Sequence, residues 1–489
     1  MDMPSLGSAS LVRQLGRWRS ESNGDAAYRQ LGQALRLLIL DGRIGLGVRL
    51  PGERELAQAL GLSRTTLASA YNQLRDEGYL VSRQGSGSIT RIPGGRHVAA
   101  DTHEDAGQGE MLDWTAAALP APETVWHAYE DALHQMPAYL TGLGYDALGV
   151  ARLRQAVAED YVRRGCPTRP EQIMITNGAQ HGFALMLRLL AGPGDRIVVD
   201  HPTYHNALAA IRRTSCVPVP VGLPGSGWDI DAIHAAFRQT GPRLAYIIAD
   251  YHNPTGRDMD AGTRAALVTV AERTRTPLVV DETMVGIGFE HEPPLPVAVH
   301  DRAGTTVVSI GSASKRYWGG LRIGWIRADE QMIAALGRIR ATLDMATPVM
   351  EQLAAATLIR SDAGTGGDAV RRAMLLRRRD RLHAALERHL PHWHVPLPAG
   401  GLSLWAEMPR PEASALAAMA QGEGLRIAPG PRFGLDGAFE RFVRLPYTLP
   451  EDVLDRAVER LARVDARLHR RMPRGADTAA WALEAERVI

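Results

Sequence analysis

Lysine is almost missing from this chain. Of 489 residues, 56 are Lys or Arg, and Lys315 is the only lysine. Ordinary surface charge is therefore carried by arginine. Cysteine is nearly absent too: Cys166 and Cys216 stand alone, with no CxxC spacing. That excludes a disulfide framework and a cysteine zinc site, and it fits a reducing, cytoplasmic setting. No stretch approaches the ~18 apolar residues of a membrane helix, and Met1 to Ser10 has no apolar signal core, so no membrane partner is expected. A net charge of +2 excludes a polycation, and any nucleic-acid surface must be local. There is no internal repeat. With 45% hydrophobic and 22% charged residues, the composition is that of a globular protein. Its length predicts two or three domains.

A lysine that persists against such a bias points to chemistry that needs a primary amine. Arginine stays protonated and forms no imine, whereas lysine can lose its proton and condense with a carbonyl. The plain alternative is one lysine left by chance on a surface. Its surroundings, Ser312-Ala313-Ser314-Lys315 and then Gly320-Leu321-Arg322-Ile323-Gly324, are weighed below.

The first ninety residues read as three helices and a hairpin. Leu31, Leu35, Leu38 and Ile39 recur at helical spacing between Ala26 and Leu40. A second helix runs over Glu53 to Leu60 and ends at Gly61. Ser63 caps a third, Arg64 to Glu77. Two short helices joined by a tight turn form a helix-turn-helix. Arg64, Thr65 and Thr66 stand in the first turn of the third helix, where a recognition helix meets phosphates and base edges. Gly78 to Arg83 and Ser88 to Arg91 flank Gln84-Gly85-Ser86-Gly87 as a wing, whose glycines let backbone approach DNA closely. The alternative is a small helical domain that docks on protein.

This stretch resembles the winged-helix domain of GntR-type bacterial regulators. The likeness rests on Leu50-Pro51-Gly52-Glu53-Arg54-Glu55-Leu56-Ala57, Leu62 to Leu67, Ala70-Tyr71, Leu74-Arg75, Glu77 to Leu80 and Gly85-Ser86-Gly87. It implies that Arg54, Ser63, Arg64, Thr65, Thr66 and Gly85 lie at the DNA. The resulting layout is an extension over 1–25, a reader over 26–92, a polar linker over 93–110 and a large domain over 111–489.

In the large domain apolar runs alternate with helical patterns. Ile173 to Thr176, Arg196 to Val199, Ala245 to Ile248, Leu278 to Val280 and Val307 to Ile310 read as buried strands. Gly182 to Ala191 and Thr263 to Thr274 read as helices. Such alternation predicts an α/β fold with a mostly parallel sheet, whose ligands bind at the C-terminal strand ends. Candidate chemistry falls at those ends repeatedly. Asn177-Gly178-Ala179-Gln180 opens a helix with free backbone N–H groups suited to a phosphate. Tyr204 offers a ring, and Asn253 lies exposed in a turn. Asp281 is a carboxylate that needs a partner at a buried strand end. Ser312 and Arg322 flank Lys315. Arg444 can grip a carboxylate bidentately. Packing and structural ion pairs are the ordinary explanation of each taken singly.

Together and in this order they resemble the aspartate-aminotransferase-like fold (fold type I) that binds pyridoxal 5′-phosphate (PLP), from about Asp113 to about Val464. That resemblance implies a Schiff base between Lys315 and PLP, with Asp281 on the pyridine nitrogen and Tyr204 stacked on the ring. It puts Asn253 on the phenolic oxygen, and Gly178, Ala179, Gln180, Ser312 and Arg322 around the phosphate. Arg444 would take an effector's α-carboxylate, and Tyr145 would reach a neighbouring subunit's phosphate. One departure stands out. The tyrosine usual two or three places after the aspartate is replaced by Thr283 and Met284. One donor to the phenolic oxygen is thereby lost, which predicts weakened catalysis without loss of PLP binding.

A GntR-type reader joined to such a domain resembles the MocR subfamily of transcription regulators. The resemblance implies a homodimer built through the large domains, an operator of paired half-sites in double-stranded DNA, and PLP or an amino-acid or amine effector as the signal. Two alternatives stay open: an active PLP-dependent aminotransferase with a DNA-binding appendage, and a dimerisation scaffold without cofactor. The chain after Pro473 reads as a helical tail with no assigned role.

Overall fold

The computed structural model describes residues 5–19, 26–40, 43–45, 47–83, 87–91, 111–225, 227–289, 295–362 and 369–470. Gly85 in the wing, the linker and the tail after Pro473 lie outside the described residues. The chain divides into two compact units. One is Met1–Asp113 with Arg410–Ile427 and Arg456–Ile489. The other is Trp114–Pro409 with Ala428–Asp455.

The first unit holds α1 (Ser8–Leu15), α2 (Ala27–Leu40), α3 (Glu53–Ala59), α4 (Arg64–Asp76), β1 (Leu80–Arg83) and β2 (Gly87–Thr90). Leucines spaced by three and four put one apolar face on each long helix. Leu31 and Leu35 of α2, Leu56 of α3, and Leu67 and Leu74 of α4 meet in one core with no exposed surface. The wing strands pair antiparallel, Leu80 opposite Thr90 and Arg83 opposite Gly87. Arg75 fastens the unit: one guanidinium nitrogen reaches Glu53 at 2.9 Å and Ser88 Oγ at 3.2 Å. Helix α1, for which the sequence pattern provided no expectation, also belongs to this core. Its Leu11 is 0% and its Leu15 2% exposed, and Ser8 Oγ donates to Glu55 at 2.6 Å. Leu11→Ala should therefore destabilise the reader by about 2–5 kcal/mol. Chemical unfolding of the reader monitored by circular dichroism checks this; an unchanged midpoint would show α1 to be a passive appendage.

In the second unit a seven-stranded sheet carries the chemistry. Its strands are β3 (Ile173–Thr176), β4 (Arg196–His201), β5 (Val217–Gly222), β6 (Leu244–Ile247), β7 (Leu278–Asp281), β8 (Val307–Ser312) and β9 (Gly324–Arg327). Their order across the sheet is β3-β9-β8-β7-β6-β4-β5. Only β9 runs against its neighbours; the others pair in parallel from β8 through to β5. The strands are apolar on both faces because both are covered. Val198, Ile247 and Val280 point into one core and Val199, Tyr246 and Val279 into the other. Helix α5 (Glu123–Gln135) precedes the sheet. α6 (Ala179–Leu190), α7 (His205–Arg213) and the single turn α8 (Ala313–Arg316) each follow a strand end.

A second, antiparallel sheet of β10 (Ser403–Glu407), β11 (Ala428–Pro429) and β12 (Phe442–Pro446) lies in the same unit. Arg444 sits mid-strand on β12, opposite Trp405. Trp405 and Phe442 stack with ring centroids 5.1 Å apart, which fixes the strand that presents Arg444.

Candidate functional site

On the reader, the α3–α4 corner presents its polar residues outward. Arg54, Ser63, Arg64 and Thr65 are exposed and Thr66 is half-buried. Neither Arg54 nor Arg64 is paired with an acidic group among the described residues. Ser63 caps α4: its Oγ accepts from the Thr66 N–H at 3.1 Å and shares hydrogen bonds with the hydroxyls of Thr65 (2.8 Å) and Thr66 (2.7 Å). The cap satisfies a backbone donor and holds the first turn of α4 in place before any ligand arrives. Of the six positions expected at the DNA, Arg54 lies in the first turn of α3, Ser63, Arg64, Thr65 and Thr66 form the cap and first turn of α4, and Gly85 is not described.

In the large unit, the strand ends converge on Lys315. Asp281 ends β7, Ser312 ends β8, and α8 carries Lys315 directly after it, where the charges of Asp281, Arg322 and Arg444 act on the amine. Ser312 Oγ accepts from the Ser314 N–H at 3.1 Å, so this serine sets the turn that aims the lysine. Lys315 Nζ donates to the Ala117 carbonyl at 2.7 Å. Burial pushes the amine down to about 8; Arg444 and Arg322 act in the same direction and Asp281 opposes them. At pH 7 roughly a tenth of such amines are free, against fewer than about one in a thousand for an unperturbed lysine. The rate at which this amine captures PLP, followed by absorbance, should rise with pH up to about 8 and level off beyond. A rate still climbing steeply past pH 9 would mean an ordinary lysine.

Asp281 is anchored from two sides. Its Oδ2 accepts from Tyr246 at 2.5 Å and its Oδ1 from the Thr283 N–H at 2.9 Å. Burial and Asp281 itself hold the Tyr246 phenol well above its usual range, so it remains a donor. Tyr246 was missed from sequence. Its signal was a phenol inside the apolar strand Ala245-Tyr246-Ile247, which needs a polar partner when buried. Thr283 and Met284, noted from sequence as the departure from the usual tyrosine, supply no phenol here; the Thr283 hydroxyl is buried with no partner among the described residues.

A cradle forms where α6 begins. Gly178 has φ +85°, and a Cβ there would lie 2.7 Å from the Arg322 guanidinium. Arg322 donates to the carbonyls of Asn177 at 3.2 Å and Gly319 at 3.4 Å. A Cβ on Gly324 would lie 2.5 Å from the Gly178 carbonyl carbon. Both glycines are thus required by close approach. Ala179 opens the helix, and Gln180 bonds the Asn206 carbonyl at 3.2 Å.

Arg444 closes the other side. It is 4% exposed, donates to Asn253 Oδ1 at 3.2 Å and to the Thr115 carbonyl at 2.5 Å, and lies 4.9 Å over the Phe433 ring. Its Nε has no partner among the described residues. Tyr204 accepts from Asn206 at 2.8 Å, and its ring meets His205 edge-on at 5.1 Å. Tyr145 is 70% exposed. These residues fit PLP: an amine of depressed pKa, a held carboxylate, a glycine cradle beside an arginine, and a buried arginine with an unused donor.

Residues 108–461 match aminotransferase class I and II, and residues 27–89 match the bacterial regulatory proteins of the gntR family. The first match spans well over half of the chain, which therefore belongs to the class I and II aminotransferase family, a family of PLP-dependent proteins, and carries a GntR-type DNA-binding domain in the same polypeptide. Its layout is that of the MocR-type transcriptional regulators. It is 29% identical over 443 residues to the uncharacterized HTH-type regulator YdcR of Escherichia coli, covering 85% of this chain and 94% of that one. It is 28% identical to the probable rhizopine catabolism regulatory protein MocR of Rhizobium meliloti, covering 82% and 86%. Among solved structures it resembles LysN, the α-aminoadipate aminotransferase of Thermus thermophilus, with a TM-score of 0.67 and 26% identity over 73% of this chain and 92% of that one.

Proposed function

We propose that this MocR-type transcription regulator holds PLP on its large unit and senses an amino-acid or amine effector there, with the winged helix reading a cytoplasmic operator. The observation that carries this reading is Lys315: the only lysine of the chain, with a depressed pKa, facing Asp281 and flanked by Arg322 and Arg444. Lys315 would hold the cofactor aldehyde, Asp281 the ring nitrogen and Tyr204 the ring face. Asn253 would bond the phenolic oxygen, while Gly178, Ala179, Gln180, Ser312 and Arg322 would hold the phosphate. When bound, PLP supplies an electron sink; the chain supplies position and charge. Tyr246 keeps Asp281 oriented, and Arg444 receives the effector carboxylate.

Self-association of the large unit is supported by α5. Trp126 and Leu133 on it, with Leu140, Leu143 and Tyr145 just after it, are 62–91% exposed, an apolar group of the kind that marks an interface. A homodimer built there brings two readers to paired half-sites and puts Tyr145 beside the neighbour's phosphate site. The ligand shifts DNA binding only by its differential affinity for the two reader arrangements.

Active transamination is the second reading, favoured by the intact Asp281, Lys315, Asn253 and Arg444 set. Multiple turnovers with a panel of amino acids and a keto acid, together with no effect in cells of deleting the reader, would establish it over regulation. The deciding experiment for the proposal titrates PLP by absorbance and then measures DNA binding with and without PLP and amino acids. Arg444→Ala should leave the PLP response intact and weaken the response to a carboxylate-bearing effector by about tenfold or more. If PLP alone is the signal, Arg444→Ala and wild type will respond alike.

A further inference from the structure

One side chain beside the pocket has no role in that account. His205 opens α7, next to Tyr204, and its imidazole lies edge-on to Phe433 at 5.6 Å between centroids. Arg432 contacts its Nε2 at 3.2 Å. An arginine can only donate, so Nε2 must be the acceptor and the ring proton resides on Nδ1. That Nδ1–H is buried and has no partner among the described residues. Burial, then Arg432, Arg444 and Lys315, holds the imidazole pKa well below its usual value, so the ring is neutral. A neutral histidine with a buried, unanswered N–H beside arginines lacks an acceptor oxygen, and an orphaned buried donor is costly.

The place of that oxygen follows from Phe433. The Arg444 guanidinium lies 4.9 Å over this ring, and the His205 imidazole packs edge-on against it. Both thus pack on one ring, and the charges of Arg444 and Lys315 act on the His205 imidazole together with that of Arg432. Arg322 and Asp281 are taken by the cofactor and Arg444 by the α-carboxylate; His205 and Arg432 add a further donor pair. We propose that His205 and Arg432 bind a second anionic group on the ligand, so that the effector is an amino acid with an acidic side chain. This rests on the reading of Arg444 as the α-carboxylate site.

The test uses full-length, PLP-loaded protein and follows the cofactor absorbance during titration with L-glutamate, its neutral isostere L-glutamine, and L-alanine. Wild type should prefer glutamate over glutamine by at least about tenfold, as expected for charge-assisted hydrogen bonds to a carboxylate. His205→Leu and Arg432→Gln should each bring that ratio to within about twofold. His205→Gln, which keeps an N–H donor, should retain part of the preference. Alanine, which lacks the second group, reports whether each variant still admits an amino acid. Equal binding of glutamate and glutamine to wild type would overturn this inference and leave the amino-acid reading standing. If no amino acid changes the spectrum, both fall. A preference that persists in both His205→Leu and Arg432→Gln would also overturn the assignment.

Discussion

Lys315→Ala protein mixed with PLP should yield no borohydride-reducible adduct, where wild type yields one adduct per chain at Lys315. No other lysine exists to take its place, so the loss should be complete. Lys315→Arg should fail equally, because a guanidinium keeps the charge but forms no imine. That pair of variants separates chemistry from electrostatics in a protein whose other basic side chains are all arginine. Binding itself should survive in weakened form. Gly178, the α6 N-terminus and Arg322 are untouched, and a helix start with an adjacent arginine still attracts a phosphate. The dissociation constant should rise by at least about tenfold, read by quenching of intrinsic fluorescence. A covalent adduct of unchanged yield in Lys315→Ala would refute the pocket assignment. Wild-type protein without any adduct would return the large unit to a scaffold.

Much of this pocket is legible along the chain, because it is built at strand ends. The apolar run Leu278-Val279-Val280, for example, stops at the candidate site residue Asp281, which ends the strand. What the sequence hides are partnerships between distant segments. Arg444 and Asn253 stand 191 positions apart and meet at 3.2 Å. Their bond depends on the small antiparallel sheet, which is short, Pro-containing at Pro429, and weak in period. Tyr246 and Asp281 meet because β6 and β7 are neighbours, a matter of strand order rather than of either segment. His205 reads as a polar residue after Tyr204, and only Arg432 and Phe433, far along the chain, reveal its proton. In the reader, the helix starts expected at Arg64 and Glu53 coincide with those found, since Ser63 caps the one and Pro51-Gly52 precedes the other. Helix α1 escaped because two leucines four apart are too few to establish a period.

Arg64→Ala should weaken binding of the reader to DNA by roughly five- to a hundredfold, corresponding to about 1–3 kcal/mol for one arginine at a base or phosphate. Arg64 is the first residue of α4, exposed and without an acidic partner among the described residues. Its loss costs the fold little, and the cofactor absorbance should not change. The probe is a duplex selected by wild-type protein from a random pool, assayed by gel shift at several salt concentrations. If Arg64 meets a phosphate, all sequences weaken alike and the salt slope falls by about one. If it meets a base edge, discrimination relaxes at one position of each half-site while the slope holds. Ser63→Ala provides the contrast. It removes the cap on the Thr66 N–H at 3.1 Å and should cost about 1 kcal/mol of reader stability. Its effect on DNA binding should then come from a looser first turn, which also carries Thr65 and Thr66. Wild-type affinity in Arg64→Ala at every salt concentration would move the DNA face away from the start of α4.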